Sequence, residues 1–394
     1  MNRPRLTSTR ALSLLAACLL CACSTPVVPP EGPRECNASA MADVPRFRLL
    51  GEVRWNVDTP YGGVPVGGLS SIDWDAARGE YLLISDDRAV FGPARYYSAR
   101  MVYDDSGLHD AWLTDMHALR GPGQHLYGDA RTAHAGMPVP DAEALRVMPG
   151  SGDLLWSSEG DFARGFGPEL QVIDHDGHWL STWALPASLS QPDDAYGPRA
   201  SFTIEGLGFS EDGATLWASM EGALKQDGPM PAPGSPGAPV RITQFDATSR
   251  APLRQIAYQP DALPAGIWAL PQRAVNGVSD ILADGPEHLL VLERSFSVDF
   301  GWGARLYRID LRSATDTLDM ARLDPARFQP ATKRLVQDFA QLGLRSVDNL
   351  EGMTWGPRLA GGERVLLLVS DNNFNPAQVT QFIALAELPR CNSE

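Results

Sequence analysis

The sequence predicts an all-β chain folded as a β-propeller of five blades, and three observations predict it. A two-strand unit recurs five times, further strand-like segments follow each copy, and one unpartnered strand precedes the first. Six blades would follow if a long connection hid a degenerate copy.

The five copies are Leu69–Trp74 with Tyr81–Asp86, Ala142–Val147 with Leu154–Glu159, Ile204–Phe209 with Leu216–Glu221, Val278–Ala283 with Leu289–Glu293, and Leu350–Trp355 with Leu366–Asp371. Each is a short strand, a turn and a more apolar second strand. Turns such as Pro149-Gly-Ser-Gly152 and Ser210-Glu-Asp-Gly213 carry hairpin chemistry, because glycine enters the left-handed region without a Cβ clash. Third and fourth strands are expected at segments such as Leu170–Asp174, Trp179–Trp183, Val240–Phe245 and Arg305–Asp310. Trp156 and Trp217 hold equivalent places in second strands and read as core between blades. The last copy ends after Val379–Leu385, one strand short, while Phe47–Trp55 has no partner of its own. Placing Phe47–Trp55 outermost in the last blade closes the ring.

The first residues read as a targeting signal. Arg3, Arg5 and Arg10 precede an apolar stretch, Ala11–Ala22, that is too short to span a bilayer. Leu20-Cys21-Ala22-Cys23 resembles a bacterial lipobox, which implies a signal over 1–22, lipidation of Cys23 and anchorage at the cell envelope, facing the periplasm from the outer membrane. Leu15-Ala16-Ala17-Cys18 fits the same pattern with a shorter apolar core. A Pro-rich tether over 23–45 then leads into the propeller, 46–394. Cys36 and Cys391 are the two cysteines beyond the lipidation site, and in an oxidising compartment they are expected to form a disulfide that fastens the seam.

Removing residues 1–22 takes away three arginines and no acids, which carries the formal charge from −15 to −18. A surface of that sign repels nucleic acid, so a small-molecule substrate is the expected partner and the lipid the only membrane contact.

The acids have a pattern of their own. The first strand of each copy opens on Ser70, Glu143, Glu205, Ser279 or Glu351, and the second closes on Asp86, Glu159, Glu221, Glu293 or Asp371. A hairpin sets the start of one strand beside the end of the other. In a propeller these ten positions therefore ring the channel on one face, with Asp87, Asp141, Asp280, Asn372 and Asn373 beside them. Crowded carboxylates raise one another's pKa unless a cation intervenes. Their hard oxygens match Ca²⁺, so Glu143, Glu205, Glu351, Asp371, Asp86, Glu159, Glu221 and Glu293 are the expected ligands. Arg88, Arg294 and Lys225, with Asn372 and Asn373, are the expected substrate contacts. Arg88, Arg146, Arg294 and Lys225 can instead pair with neighbouring acids. The sequence holds no G-x-S-x-G, H-E-x-x-H or P-loop motif, and no nucleophile–base pair can be named.

Taken in order, Gly67-Gly-Leu-Ser-Ser-Ile72 with Ser85-Asp-Asp-Arg88, Asp141-Ala-Glu-Ala-Leu145 with Ser158-Glu-Gly160, Glu205-Gly-Leu with Met220-Glu-Gly-Ala-Leu224, Ser279-Asp-Ile-Leu282 with Leu292-Glu-Arg-Ser-Phe296, and Asn349-Leu-Glu-Gly352 with Val369-Ser-Asp-Asn-Asn-Phe374 resemble the phytase-like family, also called "esterase-like activity of phytase". The resemblance covers nearly all of 47–390. It implies a propeller, often exported, that hydrolyses phosphoesters or related esters with calcium. Few basic residues cluster on the inferred face, so a smaller ester or phosphoester is expected before phytate. A non-catalytic propeller that binds a ligand or envelope protein, and a hydrolase resembling the calcium-dependent sugar lactonases, are the alternatives.

Overall fold

The computed structural model describes residues 44–56, 59–190, 193, 195–263 and 274–389. Cys18, Cys23, Cys36 and Cys391 lie outside them, and so do the expected lipidation and disulfide. Strand β1 (Phe47–Asn56) is followed by a small hairpin of β2 (Pro60–Tyr61) and β3 (Val64–Pro65). Five four-stranded antiparallel sheets then account for the rest. Blade 1 holds β4 (Leu69–Asp75), β5 (Glu80–Ser85), β6 (Arg95–Asp104) and β7 (Gly107–Ala118). Blade 2 holds β8 (Ala142–Val147), β9 (Leu154–Ser158), β10 (Glu169–Ile173) and β11 (Trp179–Trp183). Blade 3 holds β12 (Ile204–Phe209), β13 (Thr215–Met220), β14 (Val240–Asp246) and β15 (Pro252–Tyr258). Blade 4 holds β16 (Ala274–Ala283), β17 (His288–Ser297), β18 (Gly301–Asp310) and β19 (Thr332–Asp338). Blade 5 holds β20 (Asn349–Gly356), β21 (Val365–Asp371) and β22 (Val379–Glu387).

The ring closes as expected, with five blades. Strand β1 pairs antiparallel with β22, from Phe47 opposite Glu387 to Asn56 opposite Val379, and supplies the missing outer strand. Trp55 packs edge-on against Phe382 at 4.6 Å, which fixes the seam within the apolar layer between blades 5 and 1. At the far end Leu388 N–H donates to the carbonyl of Arg46, so the two chain flanks leave side by side.

The second strands read as continuous apolar runs because both of their faces are covered by neighbouring blades. Leu83, Leu155, Leu216, Val291 and Leu367 are all fully buried, each contributing about 1.5–3 kcal/mol of burial free energy. Trp156 and Trp217 lie in this inter-blade core. Tight turns at Pro149–Gly152 and Ser210–Gly213 place Gly150, Gly152 and Gly213 at positive φ. Among the described residues no helix is long and apolar enough to cross a membrane.

Candidate functional site

One irregularity, repeated around the ring, builds the site. The innermost strand of every blade carries a β-bulge near its start, between Leu69 and Ser71, Ala142 and Leu145, Ile204 and Gly206, Val278 and Asp280, and Leu350 and Gly352. A bulge leaves one residue unpaired and re-aims its side chain. The bulged positions hold Ser70, Glu143, Glu205, Ser279 and Glu351. The chain then returns along the second strand, and the residue just past the bulge partner comes to the same mouth: Asp86, Glu159, Glu221, Arg294 and Asp371.

Seven carboxyl groups and one guanidinium therefore crowd this mouth, all of them buried but Asp86, which is half-buried. Oxygens of Glu143, Glu159 and Glu205 lie within 4.8 Å of one another. Glu205 and Glu221 hydrogen-bond to each other. Arg294 reaches Glu221 at 3.2 Å and Glu351 at 3.0 Å. Asn349 donates through Nδ2 to Glu351 at 2.8 Å and Asp371 at 3.4 Å, while its buried Oδ1 has no partner.

Burial is the largest cause of the electrostatics. It pushes Glu159 and Asp371 up to about 8 and Glu221 up to about 7. Mutual repulsion adds to burial at Asp86, Glu143 and Glu205, which rise well above the carboxylate range. Glu351 is raised by burial too, against the pull of Arg294. The guanidinium of Arg294 is held charged by Glu221 and Glu351 in spite of its burial.

Blade 4 departs from the expected arrangement. Glu293 faces away from the mouth, because the bulge at Ser279 sets Glu293 opposite Val278 within the ladder and leaves Arg294 as the residue beyond it. Its carboxylate accepts from Lys333 Nζ at 2.6 Å, from the Tyr258 hydroxyl and from Asn276 Nδ2 at 3.1 Å. Asp280 also leaves the mouth. It lies deeper in the channel, where both its oxygens meet Arg146 Nη2 at 2.7 Å. Arg146 further donates to Leu207 O, Ser71 Oγ, Ile72 O and Met353 O, so this one side chain touches the inner strand of all five blades. Asp87 is buried against Arg95 instead of lining the ring.

The expected substrate contacts scatter. Arg88 sits on Asp161 at 2.6 Å and near Asp141 at 3.6 Å. Burial, opposed by Arg88, brings the Asp141 carboxyl to about 6. Lys225 Nζ donates to the Asp193 carbonyl at 2.6 Å. Asn372 is buried at the junction with blade 1, donating to Val66 O and Thr380 Oγ1, so it braces a loop. Asn373 is exposed, and its N–H donates to Asp371 Oδ1 at 2.7 Å. Sequence reasoning missed Asn349 as a ring member, although it stands two residues before Glu351 in the repeated strand.

Gly67 and Gly68 shape the rim between blades 5 and 1. Gly68 has φ +62°, and a Cβ there would meet Asp86 Oδ1 at 2.0 Å and the Phe374 ring at 3.0 Å. Phe374 stacks on Phe91 with centroids 4.4 Å apart, and Phe91 is 45 % exposed. An aromatic pair thus stands beside the acid ring.

Among solved structures, the chain is similar to the hydrazine synthase of Kuenenia stuttgartiensis, at 13 % identity and TM-score 0.36 over 80 % of this chain and 81 % of that one. It is also similar to an exo-β-1,3-galactanase of Phanerochaete chrysosporium, at 9 % identity and TM-score 0.44 over 86 % of this chain and 64 % of that one. A thermostable family-43 glycoside hydrolase matches at 11 % identity and TM-score 0.42, over 86 % of this chain and 94 % of that one. No curated protein matches the sequence. The model of one family covers residues 64–374, from before the first blade to the loop that carries Phe374, and the chain belongs to that family: phytase-like, described as esterase-like activity of phytase.

Proposed function

We propose that the protein is a calcium-dependent hydrolase of phosphoesters or related esters, acting at the acidic mouth of the channel. The observation that carries this reading is the convergence of Glu143, Glu159 and Glu205 in a buried ring with too little positive charge of its own. The donor set suits calcium. It is made of carboxylate oxygens, with the unpartnered Asn349 Oδ1 in the same ring, and it offers no thiol or imidazole. A bound calcium ion would supply charge compensation and polarise a substrate oxygen or a water. Glu143, Glu159 and Glu205 would hold it, with Glu205 also tied to Glu221.

The protein's own groups have distinct parts in this reading. Arg294 neutralises Glu221 and Glu351 and keeps that side of the ring in place. Glu221, hydrogen-bonded to Glu205 and paired with Arg294, stands beside the proposed ligands as the carboxylate that would accept a proton from the attacking water. In hydrolysis the water oxygen bonds to the acyl carbon or phosphorus, the bond to the alcohol oxygen breaks, and one water proton ends on the released alcohol. Envelope anchorage through Cys23 belongs to the same proposal. Chain entry into β1 at the end opposite the acidic mouth supports it, since a tether from that end leaves the mouth open.

The test is turnover of 4-nitrophenyl acetate and 4-nitrophenyl phosphate by the mature chain, in calcium and in chelator. Calcium-dependent release of 4-nitrophenol from either, abolished by Glu143→Gln, is expected. Absence of turnover of both in calcium would overturn the reading.

A further inference from the structure

Resting on that reading, we infer that the ester this mouth accepts is an uncharged, hydroxyl-rich one, a neutral carbohydrate ester or lactone, in preference to a phosphoester. The first support is charge. Seven carboxyl groups share one guanidinium, Arg294, and that cation is already held by Glu221 and Glu351. The basic side chains expected as substrate contacts, and the lysine beside Glu293, are engaged elsewhere. Arg88 is held by Asp161, Lys225 by the Asp193 carbonyl, and Lys333 by Glu293 and Asp261 at 2.6 Å each. A divalent ion among Glu143, Glu159 and Glu205 can bring such a ring toward neutrality. It does not give it the positive field that draws a phosphate dianion into a low-dielectric mouth.

The second support is the form of the lining. The wall is lined by carboxyl oxygens from four blades, and Asn349 Oδ1 is a buried acceptor with no partner. Carboxyl and amide oxygens set around a mouth suit hydroxyl groups, which donate to them. Beside them stands the Phe374–Phe91 pair, set against Gly68 and hence against Asp86. An aromatic face next to a polar wall matches a sugar ring, which has apolar C–H faces and a hydroxyl edge.

A matched pair of substrates tests the inference: 6-O-acetylglucose and glucose 6-phosphate, given to the mature chain in calcium. They share the sugar and differ in ester charge. The acetyl ester is expected to show kcat/KM about tenfold or more above the phosphate at low ionic strength, and the gap should narrow when salt rises from about 20 to about 200 mM. Phe91→Ala with Phe374→Ala should raise KM for 6-O-acetylglucose about tenfold with little change in kcat, and leave the calcium-induced rise in melting temperature intact. Equal or faster turnover of glucose 6-phosphate overturns the inference while sparing the hydrolase. Binding of 6-O-acetylglucose by calorimetry without turnover supports the inference and overturns the hydrolase. Failure to bind or turn over either sugar overturns both.

Discussion

The channel holds two clusters of buried charge, and they are built on opposite terms. Deep in the channel, Arg146 and Asp280 form a pair with every need met. Asp280 receives Arg146 Nη2 on both oxygens and also the backbone N–H groups of Ile281 and Met353, each at 2.8 Å. Arg146 spends its remaining N–H groups on carbonyls and a hydroxyl of the other inner strands. At the mouth, by contrast, seven carboxyl groups share Arg294, and Asn349 Oδ1 has no partner. A satisfied buried network orders a structure, whereas an unsatisfied one costs stability unless a ligand completes it. The difference separates the axle of the propeller from its site.

The largest effect is expected at the axle. Arg146→Met leaves the Asp280 carboxylate buried without its cation and uncouples five inner strands at once. Breaking one partner of such a pair costs about 3–5 kcal/mol. Denaturant unfolding of the single variant and of Arg146→Met with Asp280→Leu measures it. The double variant is expected to recover much of the loss, because no uncompensated charge remains. A double variant as unstable as the single one would assign the cost to the lost carbonyl contacts.

The mouth should respond to pH and calcium instead. Folded and metal-free, it keeps protons on Glu159 and Asp371 up to about 8 and on Glu221 up to about 7. The unfolded chain releases them near 4.5 for glutamate and 3.8 for aspartate. Raised folded pKa values give stability that is full below the unfolded values and is lost as pH climbs through the folded ones. In chelator the melting temperature is therefore expected to fall by roughly 5 °C or more between pH 5 and pH 8. In calcium, which holds the carboxylates ionised, it should stay nearly level. Glu205→Gln removes one ring carboxyl group, so it should abolish most of the calcium increment and make the fall of melting temperature with pH in chelator shallower. Parallel pH curves with and without calcium would mean that the ring holds no ion.

The reach of sequence reasoning follows the same division. Blade number, closure by Phe47–Asn56 and the face that carries the acids were legible, because a repeat and its hairpins fix which strand ends meet. Depth and facing were not. Second strands are apolar on both faces, so Leu289-Leu-Val-Leu-Glu293 carries no alternation to show that Glu293 faces a neighbouring blade and Arg294 the channel. The acid before Arg294 also mimics the Ser-Asp and Met-Glu endings of other blades. Asp280 follows a bulge, and one extra residue in a strand turns the next side chain to another level of the channel.

The one-residue difference between Glu293 and Arg294 allows the finest test of the division. Glu293 is as buried as the ring acids, yet its oxygens are taken by Lys333, Tyr258, Asn276 and the N–H of Asp261. Glu293→Gln keeps the size and part of the hydrogen bonding, and Lys333 retains Asp261 at 2.6 Å. The loss should be the smallest of the series, about 1–2 kcal/mol by denaturant unfolding. Its calcium increment in melting temperature should equal that of the unmodified protein, whereas Glu205→Gln loses it. A Glu293→Gln variant that also lost the increment would place blade 4 among the calcium ligands. The register that sets Glu293 opposite Val278 would then no longer account for which side chain of this blade reaches the ion.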